Sequence, residues 1–156
     1  MSISTITQKQ LRLVNLEAQG LLSPPPLHAT KLDVLNAINR IGLLQIDTIN
    51  IVARSSYFVL FSRVGNFQAR WLDELQLKKS IVEQWAHVAC YVPIEDYPLM
   101  RKRTLEGSRT SYFHGWASEN WEKVNAVLDS VRTNGPMSSS DFKSPKMPGG
   151  WWNWKF

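Results

Sequence analysis

The sequence is short of cysteine: one thiol, Cys90, in 156 residues. A single cysteine excludes an internal disulfide framework and any multi-cysteine zinc site, and it suits a reducing compartment, so a cytoplasmic location is expected. Long hydrophobic runs are also lacking. No stretch approaches the ~20 apolar residues that span a bilayer. The opening MSISTITQKQLRLVNL has no apolar core behind a basic start, so it does not read as a signal peptide. Strong acidity is missing as well, since 18 Lys and Arg face 13 Asp and Glu for a net charge of +5.

What remains is the composition of a globular protein, 44% hydrophobic and 20% charged. Charge is unevenly spread. Residues 1–70 carry seven basic and three acidic groups, residues 101–156 nine and five, and residues 71–100 two and five. Two basic regions around an acidic one permit a polyanion partner without requiring it.

The pattern predicts a first helix from Thr7 to Gln19, capped by Thr7, with Leu11, Val14 and Ala18 on one face and Gly20 at its end. Ser23-Pro24-Pro25-Pro26 forbids helix. A second helix opens at Thr30 with Asp33 as a capping-box residue, buries Val34, Ile38 and Ile41, and stops at Gly42. In LLQIDTINIVAR (43–54), Leu44 and Ile46 alternate with Gln45 and Asp47, a period of two that gives one apolar and one polar face. A third helix is expected over Ser55–Arg63, its Tyr57, Phe58 and Phe61 in the core, closed by Gly65. A short helix over Trp71–Lys79 and a hairpin made of IVEQW and ACYVP follow.

Three short helices and then a hairpin is the order of a winged helix. The fold class expected is therefore α+β, mostly helical, a winged helix-turn-helix over residues 1–98. A basic connector over 99–115 follows, and then a helix over 116–132. Gly135-Pro136 and the serines of TNGPMSSSDF after that helix read as the start of a second winged helix over 116–156. The three tryptophans of GGWWNWKF want burial, so the chain is expected to end inside an element whose packing partners are missing, as a fragment would.

LLQIDTINIVARSSYFVLFSRVG, with ATKLDVLNAINRIG before it and EQWAHVACYVPIEDYPLMR after it, resembles the AlkZ/YcaQ-like winged-helix DNA glycosylases. The likeness runs from about Leu11 to Trp154 and includes NGPMSSSDF and GGWWNWK. It implies a monofunctional enzyme that removes N7-alkylated purines, including crosslinked ones, from double-stranded DNA. The family's catalytic motif, Gln, an apolar residue, then Asp or Gln, stands here as Gln45-Ile46-Asp47. Two positions depart from the family pattern: Val88 replaces a glutamate after His87, and Asn153 replaces an acid after the tryptophan pair.

The chemistry is consistent with those residues. Breaking an N-glycosidic bond creates a cationic sugar that a carboxylate stabilises while water attacks, and an amide can orient that water. Asp47 and Gln45 supply the two groups, and neither metal nor small-molecule cofactor is required. Taken from the residues alone, Asp47 before Thr48 reads first as a helix N-cap, His87 as a partly buried structural histidine and Cys90 as core. Arg54, Arg63, His87 and the cluster Arg101-Lys102-Arg103 are candidates for DNA contact, with solvated helix faces as the alternative. A monomer is expected. The rival readings are a winged-helix DNA-binding protein without chemistry, or an inactive truncated remnant; against the first, residues 57–61 offer no row of Arg, Asn or Gln for base edges.

Overall fold

A computed structural model of the 156-residue chain describes residues 5–47, 50–105 and 111–142. Two compact units part at Ser108 and Arg109.

The first unit opens with α1 (Gln8–Ala18). Thr7 caps it in a full capping box, its side chain accepting from the Gln10 N–H while the Gln10 side chain accepts from the Thr7 N–H. No residue of α1 is buried, although Leu11, Val14 and Leu16 are apolar. Two arginines hold its C-terminal end. Arg40 binds the Glu17 carbonyl and carboxylate, and Arg63 donates through Nε to the Gln19 carbonyl at 2.8 Å.

Helix α2 (Lys31–Ile41) has the same length and the same kind of cap, Thr30 with Asp33. Its inward face places Val34, Ala37 and Ile38 in the core, with Ile41 half-buried. Gly42 ends it at φ +74°, a backbone that an L side chain resists, and so turns the chain into β1 (Leu44–Gln45). Next come α3 (Ser55–Val64), α4 (Arg70–Leu77), β2 (Ile81–Trp85) and β3 (Ala89–Pro93). The hairpin strands have the limits read from the sequence, because both runs are rich in residues that suit a pleated surface.

The three strands form one antiparallel sheet in the order β1-β3-β2. One face packs on α2, α3 and α4 through Leu44, Ile81 and Tyr91, joined by Ile38, Leu60, Val64, Leu72 and Leu75. The other face carries Cys90 and Val92, packed with Val82, Leu43 and Met100. A salt bridge from Lys31 to Glu74 ties the start of α2 to α4, and that contact holds the Glu74 carboxyl below its ordinary range.

Two expectations need correction. Phe58 and Phe61 are not core; they are 53% and 58% exposed. The buried stripe of α3 is Ser56, Leu60 and Val64, spaced four apart, and this leaves the two phenylalanines on the outer side. After β3, one 3-10 turn at Ile94–Asp96 leads into α5 (Tyr97–Leu105), whose Met100 reaches the second sheet face. In the second unit, the single helix expected over 116–132 is two, α6 (Ser111–Glu119) and α7 (Trp121–Asn134). Asn120 breaks them, its side-chain amide donating to the Trp116 carbonyl and its oxygen accepting from Lys123. Gly135 closes α7, and Ser138 caps a 3-10 turn with Asp141 in a capping box. The tryptophans of GGWWNWKF, and with them the expectation of a broken element, lie outside the described residues. Among the described residues, no helix is long and apolar enough to cross a membrane.

Candidate functional site

The site is built on β1, an edge strand of only two residues. Leu44 pairs with Tyr91 and Gln45 with Cys90, and the Ile46 N–H donates to the Ala89 carbonyl at 2.8 Å. Continued one residue, that register sets Asp47 opposite Val88, beside the hairpin tip. The alternation expected from the sequence holds. Leu44 is buried and Ile46 half-buried on the helix-packed face, whereas Gln45 is exposed and Asp47 partly exposed.

Asp47 does not cap α3. That helix begins at Ser55 with Arg54 as its N-cap, seven residues further on. The commonest structural explanation for this aspartate therefore does not apply to α3.

Gln45 shares its face of the sheet with Cys90 and, one strand further, Gln84. Cys90 is fully buried, and burial pushes its thiol above the ordinary range, so it is a packing residue behind Gln45 and not a nucleophile. The opposite face carries Tyr91, which sequence reasoning missed. Its phenol is pushed up, first by burial and then by the charges of Glu83 and Asp73, while Arg54 acts in the other direction. Arg54 is exposed and stands near the same row of the sheet as Leu44. The alternation of ACYVP would have given Tyr91 an inward face, but not its neighbours.

His87 is exposed at the hairpin tip, next in sequence to Val88. Gln45, Asp47 and His87 thus lie toward one end of the sheet, although the outer two are 42 positions apart in the chain of 156.

The remaining basic candidates lie elsewhere. Arg63 is at the far end of α3 from Arg54, roughly 13 Å away along the axis at 1.5 Å per residue. Its guanidinium donates to the Gln19 and Val59 carbonyls at 2.8 Å and to the Ser62 hydroxyl at 3.1 Å, so it fastens α1 to α3. Arg101 and Lys102 are exposed on α5; the Arg103 side chain lies outside the described residues.

The class defined at this point is a small α+β protein, mostly helical, with an amide and a carboxylate two residues apart on its edge strand. The chain belongs to a known family of that kind. The family described as DNA glycosylase AlkZ-like matches residues 38–156, a span that starts within α2 and includes every candidate named above. Membership places the chain among DNA-repair glycosylases, hydrolases whose substrate is DNA. No solved structure gives a significant match.

Proposed function

We propose that this chain hydrolyses the N-glycosidic bond of N7-alkylated purines in double-stranded DNA, with Asp47 and Gln45 as its catalytic pair. The observation that carries the reading is the placement of Gln45-Ile46-Asp47 on and just beyond the edge strand β1 in a member of a DNA glycosylase family. Asp47 offers negative charge to the cationic sugar and polarises the attacking water; Gln45 orients that water through its amide. An N7-alkylated purine is already cationic and leaves readily, so two groups suffice. Base removal alone makes the enzyme monofunctional, and the proposal extends to a base still tethered in an interstrand crosslink.

The element order from α2 to β3 (helix, strand, two helices, hairpin), with its central strand last in sequence, supports a winged helix over residues 1–98. The capped turn after α7 supports a second such module over 116–156, joined through 99–115. DNA contacts are assigned to Arg54, His87, Arg101, Lys102 and Arg103. Arg63 takes part mainly by fixing α1. The protein acts as a cytoplasmic monomer.

Incubating the chain with duplex DNA containing N7-methylguanine, followed by an assay for abasic sites, tests the reading. Asp47→Asn is expected to lower base release by about 10²- to 10⁴-fold with little change in DNA affinity. Binding without release by the unaltered chain would favour the non-catalytic reading, and equal release by both proteins would remove Asp47 from the mechanism.

A further inference from the structure

Val88 stands beside the candidate carboxylate, on the same face of the sheet. The Ile46 N–H donates to the Ala89 carbonyl at 2.8 Å, which makes 46 and 89 a hydrogen-bonded pair of the antiparallel ladder. The next pair toward the tip, Asp47 with Val88, is then of the other kind, in which side chains approach most closely. Directly opposed Cβ atoms of such a pair lie about 4.5–5.5 Å apart. Alternation puts both side chains on the face of Gln45 and Cys90, which pair in the same register two residues back. The packing agrees, since Val88 lies against the cluster that Ala86, Cys90 and Val92 form on that face.

Val88 is held from several sides. Its carbonyl accepts the Ala86 N–H at 2.9 Å, its N–H donates to the Cys90 sulfur, and its side chain is half-buried. The branched Cβ restricts the isopropyl group to few rotamers. A fixed apolar surface next to a carboxylate has two effects. It offers neither a hydrogen bond nor a charge, so it leaves the negative charge of its neighbour undiminished. It also keeps water from that flank, where a lower local dielectric strengthens the pull of the carboxylate on a cation. Asp47 is only partly exposed, in keeping with one shielded flank and one open flank.

We propose that Val88 is a positioning residue for Asp47, an apolar wall that dries the hairpin side of the carboxylate and leaves its charge directed at the cationic sugar. The inference rests on the glycosylase reading for the role of Asp47, but the wall itself is a matter of strand register.

The test measures single-turnover base release from duplex DNA containing N7-methylguanine, across pH, with the full chain and three variants. Val88→Ile keeps the wall and should release base as the unaltered chain does. Val88→Thr keeps the branching but brings a hydroxyl to the carboxylate. It should slow release by about 10-fold, the worth of one hydrogen bond to a charged group, with Kd for DNA unchanged. Val88→Glu brings a second carboxylate, and two neighbours of like charge resist joint ionisation. The acid limb of the rate should therefore move up by about one pH unit. His87, exposed at the same tip, and Arg101 and Lys102 on α5 are common to all four proteins, so a displaced limb reports the residue at 88. Carbon-detected NMR titration of the Asp47 carboxyl in the unaltered chain and in Val88→Glu gives the same comparison without substrate.

Thr and Glu variants that match the unaltered chain in rate and acid limb overturn the proposal. So does an Ile variant that loses as much as Thr, which would reduce Val88 to a packing residue. An Asp47 titration that Val88→Glu displaces, in a chain that releases no base, leaves the wall standing and ends the glycosylase reading. Base release that needs Asp47, with a titration that Val88→Glu leaves in place, does the reverse.

Discussion

Helices α1 and α2 have 11 residues each, and each is opened by a threonine in a complete capping box, yet α2 buries Val34, Ala37 and Ile38 while α1 buries nothing. Capping and amphipathic spacing are local properties, and the two sequences share them. Burial depends on what lies opposite. For α2 that is the sheet with α3 and α4; for α1 it is two arginine clamps at one end. A helix start can therefore be read from four residues, whereas its contribution to the core cannot.

The sharpest way to break this comparison is a paired truncation. Ile38→Ala removes a fully buried side chain from the core and should cost about 2–5 kcal/mol in denaturant unfolding. Leu11→Ala, at a position 48% exposed, should stay within about 0.5 kcal/mol. Similar costs for the two would show that α1 is packed in solution. Next in size is Gly42→Ala. An added Cβ meets no atom within 4 Å there, so the expected loss of about 1–2 kcal/mol comes from the positive φ alone. Hydrogen exchange in β1 should rise with it, because this turn delivers the chain to Leu44.

The smallest effect concerns the caps. Thr30→Ala should cost about 1 kcal/mol of global stability, whereas Thr7→Ala should lower only the helicity of α1. Bonding to the Thr30 hydroxyl and N–H holds the Asp33 carboxyl below its ordinary range. A depressed carboxyl contributes stability that is fully present above its unfolded pKa and is lost as pH falls through the folded value. The acid limb of the stability curve below about pH 4 should therefore be shallower in Thr30→Ala than in the unaltered chain, as followed by urea unfolding at stepped pH.

The same distinction between local and non-local information decides how much was legible. The capping boxes of α1 and α2, the glycine stops at Gly42 and Gly65, and both hairpin strands were written in short segments. The outward turn of Phe58 and Phe61 was not. A helix apolar on nearly every side gives no phase, and only the docking of Ser56, Leu60 and Val64 sets it. The break at Asn120 was missed because a side chain that satisfies the carbonyl of the preceding helix competes with continued periodicity. At the site, alternation gave the faces of Gln45 and Asp47. It did not give the register with Cys90 and Ala89 that sets them at the same end of the sheet as His87, since that pairing joins segments more than 40 residues apart.

That register also makes the lone sulfur a clock. Cys90 lies directly across from Gln45 with no surface exposed, and its thiol is held protonated by burial. A thiol reagent can reach it only when β1 or α5 lifts from the sheet. Its labelling rate in the native protein therefore counts openings of the two segments that cover it, β1 with Gln45 and α5 with Met100, without any probe being introduced. DNA that seats against β1 should slow the part of the reaction that β1 opening supplies, and the factor by which it slows measures how firmly the bound duplex holds that strand.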